Sequence, residues 1–262
     1  MLAIFAGDGD FPKEIIKSLN YQNKKFIVIN LSQKNIKNSF RVQLGQFGKI
    51  LKLLKTNKIK EAIFAGKVKR PSINNLKFDI KALTYLPALR AAFKKGDGNI
   101  LNFCKKILKQ NKINVIQSHK YSKDLLLGKN LTKQKPAKED LKDALKGKKI
   151  LKSLSYYDNA QGIVIDNGYI VSIEAAEGTD LMLRRVSQLN RKKTKRSGSL
   201  IKLPKNNQNL NYDLPTIGIQ TIRSCLKAKL KGIFLKKNQN IFLNKNKSIE
   251  LANKNNFFIA VI

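Results

Sequence analysis

A chain of 262 residues that is 42% hydrophobic and 27% charged can bury a substantial core, and its length suits one large domain or two of about half that size. Lys and Arg number 53 against 17 Asp and Glu, a net charge of +36 that a disordered tail would match but that this apolar content does not. The excess is 45 Lys to only 8 Arg, beside 27 Asn, and it is dispersed. That argues against a specific nucleic-acid reader, which gathers basic residues on one face and favours Arg.

In chain order, residues 2–6, 25–31, 60–65 and 112–117 are short runs rich in Ile, Val and Phe, separated by segments with helical spacing. Ile15, Ile16 and Leu19 make one apolar face behind Pro12, Phe47, Ile50, Leu51 and Leu54 a second, and Ile100, Cys104, Ile107 and Leu108 a third. This alternation predicts α/β architecture: an N-terminal Rossmann-like parallel sheet domain over 1–128. Residues 129–139 are polar, contain a proline and lack periodicity, as an interdomain linker does.

A C-terminal mixed α/β domain is expected over 140–262. It begins with a helix over 141–154, followed by a hairpin whose strands flank Asp166-Asn167-Gly168. A helix over 181–189, a strand over 199–203 and a helix over 217–230 come next, then strands over 232–235, 241–243 and 257–262. Cys104 and Cys225 lie in apolar helical patterns and read as buried, reduced thiols. No stretch reaches the ~18 apolar residues of a membrane span. The expectation is a cytoplasmic protein, peripheral at the membrane at most.

Chemistry is concentrated at a few loops. Gly7-Asp8-Gly9-Asp10-Phe11-Pro12 links a strand to a helix, where backbone amides and a helix N-terminus suit a phosphate, although a glycine turn there is also structurally ordinary. The loop from Gly66 carries Arg70 to the same end of the sheet, with a solvated basic loop as the competing reading. Asp97, between Gly96 and Gly98, reads first as a helix-start acid. Asp158 and Gln161 precede the hairpin.

Acids are scarce, yet Glu174, Glu177 and Asp180 fall within seven residues, beside Thr179. Hard oxygen ligands near glycine fit magnesium held with substrate phosphates, while Thr179 and Asp180 also fit a plain helix start. Arg184 and Arg185 follow one turn on, within reach of phosphate oxygens. Asp213-Leu-Pro-Thr216-Ile-Gly218 holds the only acid between Asp180 and Glu250, and a helix cap competes there too. His119 is the sole histidine, which excludes zinc clusters and a histidine-bound two-metal phosphoesterase, and no P-loop motif is present.

Together, the motifs at 6–12, 66–72, 96–97, 158–161, 174–184 and 213–218 resemble the LpxI-type UDP-2,3-diacylglucosamine pyrophosphatases of lipid A synthesis. Glu174-Ala-Ala-Glu177-Gly-Thr179-Asp180 and Asp213-Leu-Pro-Thr216-Ile-Gly218 are the specific parts. The resemblance implies hydrolysis of UDP-2,3-diacylglucosamine to UMP and 2,3-diacylglucosamine 1-phosphate, assisted by Mg²⁺, in a cleft between two domains. It makes Asp213 the aspartate on which catalysis depends and aligns Glu177, Thr179, Asp180 and Arg184 with the signature segment.

The chain departs from the family pattern at Asn209 and Asn211, where an Asp and an Arg are usual, at Ala160 in place of glycine, and at Gly98 in place of a second aspartate. The resulting assignment gives catalysis to Asp213, Glu177 and Asp180, and metal binding to Asp213 and Asp180. Substrate contacts go to Gly7, Asp8, Gly9, Arg70, Asp97, Gln161, Thr179, Arg184, Lys202 and Thr216. Peripheral contact with the inner membrane surface is a separate expectation, because a diacylated substrate partitions into bilayers and lysines favour anionic lipid. The alternatives are a nucleotide-sugar transferase or epimerase, and a basic nucleic-acid-binding protein, the latter resting on charge alone.

Overall fold

The computed structural model describes the chain except residues 69–71, 73–75, 95, 96, 158, 159 and 206–213 and the side chain of Asp97. The chain divides into two compact units, one built on Met1–Ser122 and the other on Lys123–Leu210 with Leu214–Ile262.

The first unit runs β1 (Leu2–Ala6), α1 (Phe11–Tyr21), β2 (Phe26–Asn30), β3 (Ser39–Arg41), α2 (Phe47–Thr56), β4 (Glu61–Ala65), α3 (Ile80–Leu83), α4 (Leu86–Lys94), α5 (Asp97–Gln110) and β5 (Asn114–Val115). Its five strands form a wholly parallel sheet in the order β3-β2-β1-β4-β5. β1 is buried along its entire length, as the centre of a sheet covered on both faces requires, and this is why it reads as an unbroken apolar run. Ala3, Phe5, Ile27, Ile29, Leu54 and Ala62 pack in one core cluster. The chain winds outward from β1 in both directions, so β1 and β4 flank the point where strand order reverses and where open α/β sheets bind ligands.

β3 is short, half-exposed and flanked by Lys and Asn, so its apolar signal is slight. α3 is set by Asp79, whose Oδ1 accepts the Ala82 amide at 2.8 Å while Oδ2 accepts that of Lys49 at 3.1 Å.

The second unit runs α6 (Lys138–Leu154), β6 (Gly162–Asp166), β7 (Tyr169–Ile173), α7 (Thr179–Leu189), β8 (Ser199–Lys202), β9 (Thr216–Ile217), α8 (Ile219–Lys227), β10 (Gly232–Leu235), β11 (Ile241–Phe242), α9 (Lys245–Lys254) and β12 (Phe258–Val261). The main sheet has the order β12-β10-β8-β6-β7 and is mixed, because β6 runs antiparallel to both neighbours. The β6–β7 turn places Asn167 at φ 49° and Gly168 at φ 82°, the left-handed pair of a type I′ hairpin.

Alternation along the strands separates two cores. Val164, Leu200, Leu235 and Ile259 pack with residues of α7, α8 and α9, whereas Ile163, Ile201, Phe234 and Phe258 pack with Ala144 and Leu151 of α6. α6 lies close on its face, since a Cβ on Gly147 would stand 3.1 Å from Ile163.

In the second unit, three segments differ from sequence expectation. The helix expected from 217 starts at Ile219, because Thr216 and Ile217 pair with β11 in a separate two-stranded sheet. α9 was not anticipated; only Ser248 and Ala252 of it are buried, which leaves little amphipathic signal. Residues 129–139, read as a linker, carry structure. Leu131 N–H donates to the Ile259 carbonyl at 3.3 Å, Asn130 and Thr132 side chains accept the Val261 and Ile259 amides at 2.9 Å, and α6 has begun by Lys138.

Candidate active site

In the second unit, β7 and β8 run parallel with β6 between them, so the carboxyl ends of β7 and β8 and the start of β6 meet at one end of the sheet. Glu174 follows β7, Lys202 ends β8, and Gly162 opens β6, paired to Lys202 and accepting the Glu174 amide at 2.9 Å. α7 starts beyond β7, bringing Thr179 to the same place.

Lys202 is 6% exposed, an unusual setting for lysine. Its Nζ donates to Thr179 Oγ1, which in turn donates to Glu174 Oε2 at 2.9 Å, and Nζ lies 3.7 Å from that same carboxylate oxygen. A buried ammonium is tolerable only with such compensation. A Cβ on Gly162 would lie 2.6 Å from Glu174 Oε2, so any larger residue there would shift that carboxylate. Behind the lysine, the fully buried Asn240 donates to the Lys202 carbonyl at 3.4 Å and accepts the Lys236 amide at 2.8 Å, tying the end of β8 to the turn after β10.

The other two acids of the segment take different roles. Glu177 Oε1 is buried and lies 2.9 Å from Arg185 Nη2 without hydrogen-bond alignment, while Arg185 donates to Ser172 Oγ at 2.9 Å and the Ile173 carbonyl at 3.0 Å. Asp180 is exposed in the first turn of α7, where a carboxylate complements the helix dipole, and Arg184 is exposed one turn on. Cys225 of α8 is fully buried; burial pushes its thiol pKa up strongly, the Lys202 charge draws it down, and Asp180 raises it. The thiol therefore stays protonated.

Thus the structure brings Glu174, Thr179 and Lys202 into contact. Thr216 stands one step away, paired through Ile241 next to Asn240. Gln161 accepts the Leu203 amide at 2.9 Å through its backbone carbonyl at the start of β6. Asp213, Arg70 and the side chain of Asp97 lie outside the described residues.

Among the described residues no three His, Cys, Asp or Glu side chains converge on a common cation position. Glu174 and Glu177 are each held by a cation of the chain itself, so of the three clustered acids only Asp180 offers an exposed carboxylate. Mg²⁺ is ordinarily held by one or two carboxylates together with substrate phosphates, and Asp180 fits that smaller requirement.

In the first unit, the glycine loop is occupied by its own backbone. Asp8 and Lys67 exchange N–H···O bonds of 2.7 and 2.9 Å, and the Gly7 amide donates to Ala65 at 2.8 Å. Gly7 and Gly66 permit this approach: a Cβ on either would sit 2.6 Å from a carbonyl oxygen of the other loop. Gly9, at φ 102°, has open space around its Cβ position, and α1 begins two residues on. Asn30, at the end of β2, is buried and bonds within its own loop, accepting the Ser32 amide at 2.9 Å and donating to Lys34 at 2.9 Å.

Residues 1–125 match the LpxI N-terminal domain and residues 128–260 match the LpxI C-terminal domain. The chain belongs to the LpxI family. A relative from Caulobacter vibrioides, UDP-2,3-diacylglucosamine pyrophosphatase LpxI, is 33% identical over 242 residues, which cover 88% of this chain and 86% of the relative. Two departures from the LpxI pattern acquire a physical setting. Ala160, where glycine is favoured, holds φ 57°, a conformation that strains an L-residue with a Cβ. Gly98, where an aspartate is common, has nothing within 4 Å of its Cβ position.

Proposed function

We propose that this chain hydrolyses the diphosphate of UDP-2,3-diacylglucosamine, releasing UMP and 2,3-diacylglucosamine 1-phosphate. The observation that carries the reading is the match to both LpxI domains, together with a relative of that printed activity aligned over nearly the whole chain.

Cleaving a phosphoanhydride requires a nucleophilic water, neutralised non-bridging oxygens and a stabilised leaving phosphate. Lys202 supplies a preorganised cation, held in place by Glu174 and by the Thr179 hydroxyl that accepts from it and donates to that carboxylate. Arg184 reaches phosphate oxygens from the exposed side of α7. Asp213 is the catalytic aspartate, carried over from the family motif, and with Asp180 it would hold Mg²⁺ against the diphosphate. Mg²⁺ held there would supply neutralisation of phosphate charge and would lower the pKa of the attacking water. Glu177 acts at one remove, by fixing Arg185 and the turn into α7.

In the same proposal Gly9 and the start of α1, with Arg70, Asp97, Gln161 and Thr216, contact the substrate, and Gly7 and Asp8 shape the loop that carries Gly9. The two free thiols, Cys225 buried and Cys104 only half-buried where burial of both was expected, fit a reducing, cytoplasmic setting.

The test is release of UMP from UDP-2,3-diacylglucosamine by purified protein, with and without Mg²⁺, for wild type and Asp213→Ala. UMP that appears with wild type, requires the metal and falls by about a thousandfold in the variant is the expected result. Release of UDP in place of UMP would point to a transferase, and full activity in Asp213→Ala would remove the central assignment.

A further inference from the structure

We infer that the outer face of α6 is a docking surface for a bilayer containing anionic phospholipid. The inference rests on this surface alone and does not depend on the reaction proposed above.

α6 is the longest described helix, 17 residues or about 25 Å, and it packs on one face of the second sheet. Its charges are sorted by face. Asp140 is buried, accepting the Ala137 amide at 2.9 Å and an ion pair from Lys231 at 3.0 Å; Asp143 is buried, accepting the Gly168 amide at 2.8 Å. Both acids point into the body of the unit. Outward, Lys138, Lys142, Lys148, Lys149 and Lys152 are all exposed, with Glu139 the one acid beside them. A uniformly lysine-rich composition does not produce this segregation.

Apolar side chains sit within the same face. Leu145 is 56% exposed and Leu141 is 42% exposed, one turn apart, and the line 138, 142, 145, 149, 152 advances by three or four residues, as one stripe of a helix must. The 3₁₀ turn that follows α6 carries Tyr156 and Tyr157, both exposed, with rings 5.1 Å apart. Lysines flanking leucines, with tyrosines at the end, match the polar and apolar zones of a bilayer interface. Lysine stems lie along the acyl boundary while ammonium groups reach anionic headgroups, and tyrosine prefers headgroup depth. A nucleic acid offers the leucines nothing comparable, and the face lacks Arg.

The chain contains no tryptophan, so a single introduced indole reports its own depth. Full-length Leu145→Trp is mixed with vesicles of phosphatidylcholine plus phosphatidylglycerol, or of phosphatidylcholine alone. Tyr21→Trp, on an exposed site of the first unit, serves as the reference. The expected result is a blue shift and protection from aqueous quencher for Leu145→Trp on the anionic vesicles only, with Tyr21→Trp unchanged. An unshifted Leu145→Trp on protein that co-sediments with the vesicles would overturn the inference.

Charge reversal at Lys142, Lys149 and Lys152 to Glu should weaken vesicle binding by about a hundredfold. The same reversal at exposed Lys17, Lys55 and Lys109 of the first unit should cost under about tenfold, since it lowers only the general field. Equal losses would overturn the inference, as would a larger effect of the α6 reversal on binding to duplex RNA than on binding to vesicles. Circular dichroism checks that each variant is folded.

Discussion

The two units contain five-stranded α/β sheets of similar size, yet they treat the carboxyl ends of their strands in opposite ways. In the first, the loops after β1 and β4 are stitched to each other by backbone hydrogen bonds, and Asn30 is spent on its own turn. In the second, the corresponding end holds a buried ammonium and a carboxylate linked through a hydroxyl. Topology locates where a ligand can bind, while the side chains decide what each unit could offer it there. The first unit is built to present a loop; the second is built to hold charge ready.

The sharpest way to break this contrast is Lys202→Met. It leaves the half-buried Glu174 without its cation and should cost about 1–3 kcal/mol of stability, read by denaturant titration, together with nearly all activity. Adding Glu174→Gln to it should recover much of the stability and none of the activity. Recovery of both would make the pair a packing element.

A smaller effect separates the two glycine positions. Gly7→Ala forces a Cβ to 2.6 Å from the Lys67 carbonyl oxygen, which is fixed in the backbone, and should lose about 1–3 kcal/mol, whereas Gly162→Ala meets the movable end of Glu174 at 2.6 Å and should cost less. Their kinetics should differ. Gly162→Ala displaces Glu174 and lowers kcat, whereas Gly7→Ala lowers the melting temperature and leaves kcat of the folded protein close to wild type. Equal kcat losses would erase the distinction between the units.

The smallest change expected is a gain. Ala160→Gly relieves the left-handed strain at φ 57° and should raise stability by up to about 1 kcal/mol, visible as a small rise in melting temperature.

β1, β2 and β4 were legible because a doubly covered strand needs an unbroken apolar run, and the β6–β7 turn because Asn-Gly is nearly specific for its geometry. α9 was not, since its contact with the core uses only Ser248 and Ala252. In the site, Thr179 and Lys202 were legible as candidates, but their partnership was not. One lysine among 45 carries no mark of burial, and Glu174 lies 28 positions from Lys202, so only strand pairing reveals that they meet. The same blindness applied to the acids at 174–180: closeness in sequence suggested one cation, while the fold gave Glu174 and Glu177 separate internal partners. Gly162 and Asn240 had no local signal at all.

The strap formed by residues 127–133 along β12 has a practical consequence. Because Asn130, Leu131 and Thr132 satisfy amides and a carbonyl on the sheet's outermost strand, they do for this edge what a sixth strand would do. A fragment begun at Ala137 would keep α6 to α9 whole and still lack the selvage of the second sheet, leaving a raw border free to zip onto another molecule; one begun ahead of Leu127 would keep the hem sewn.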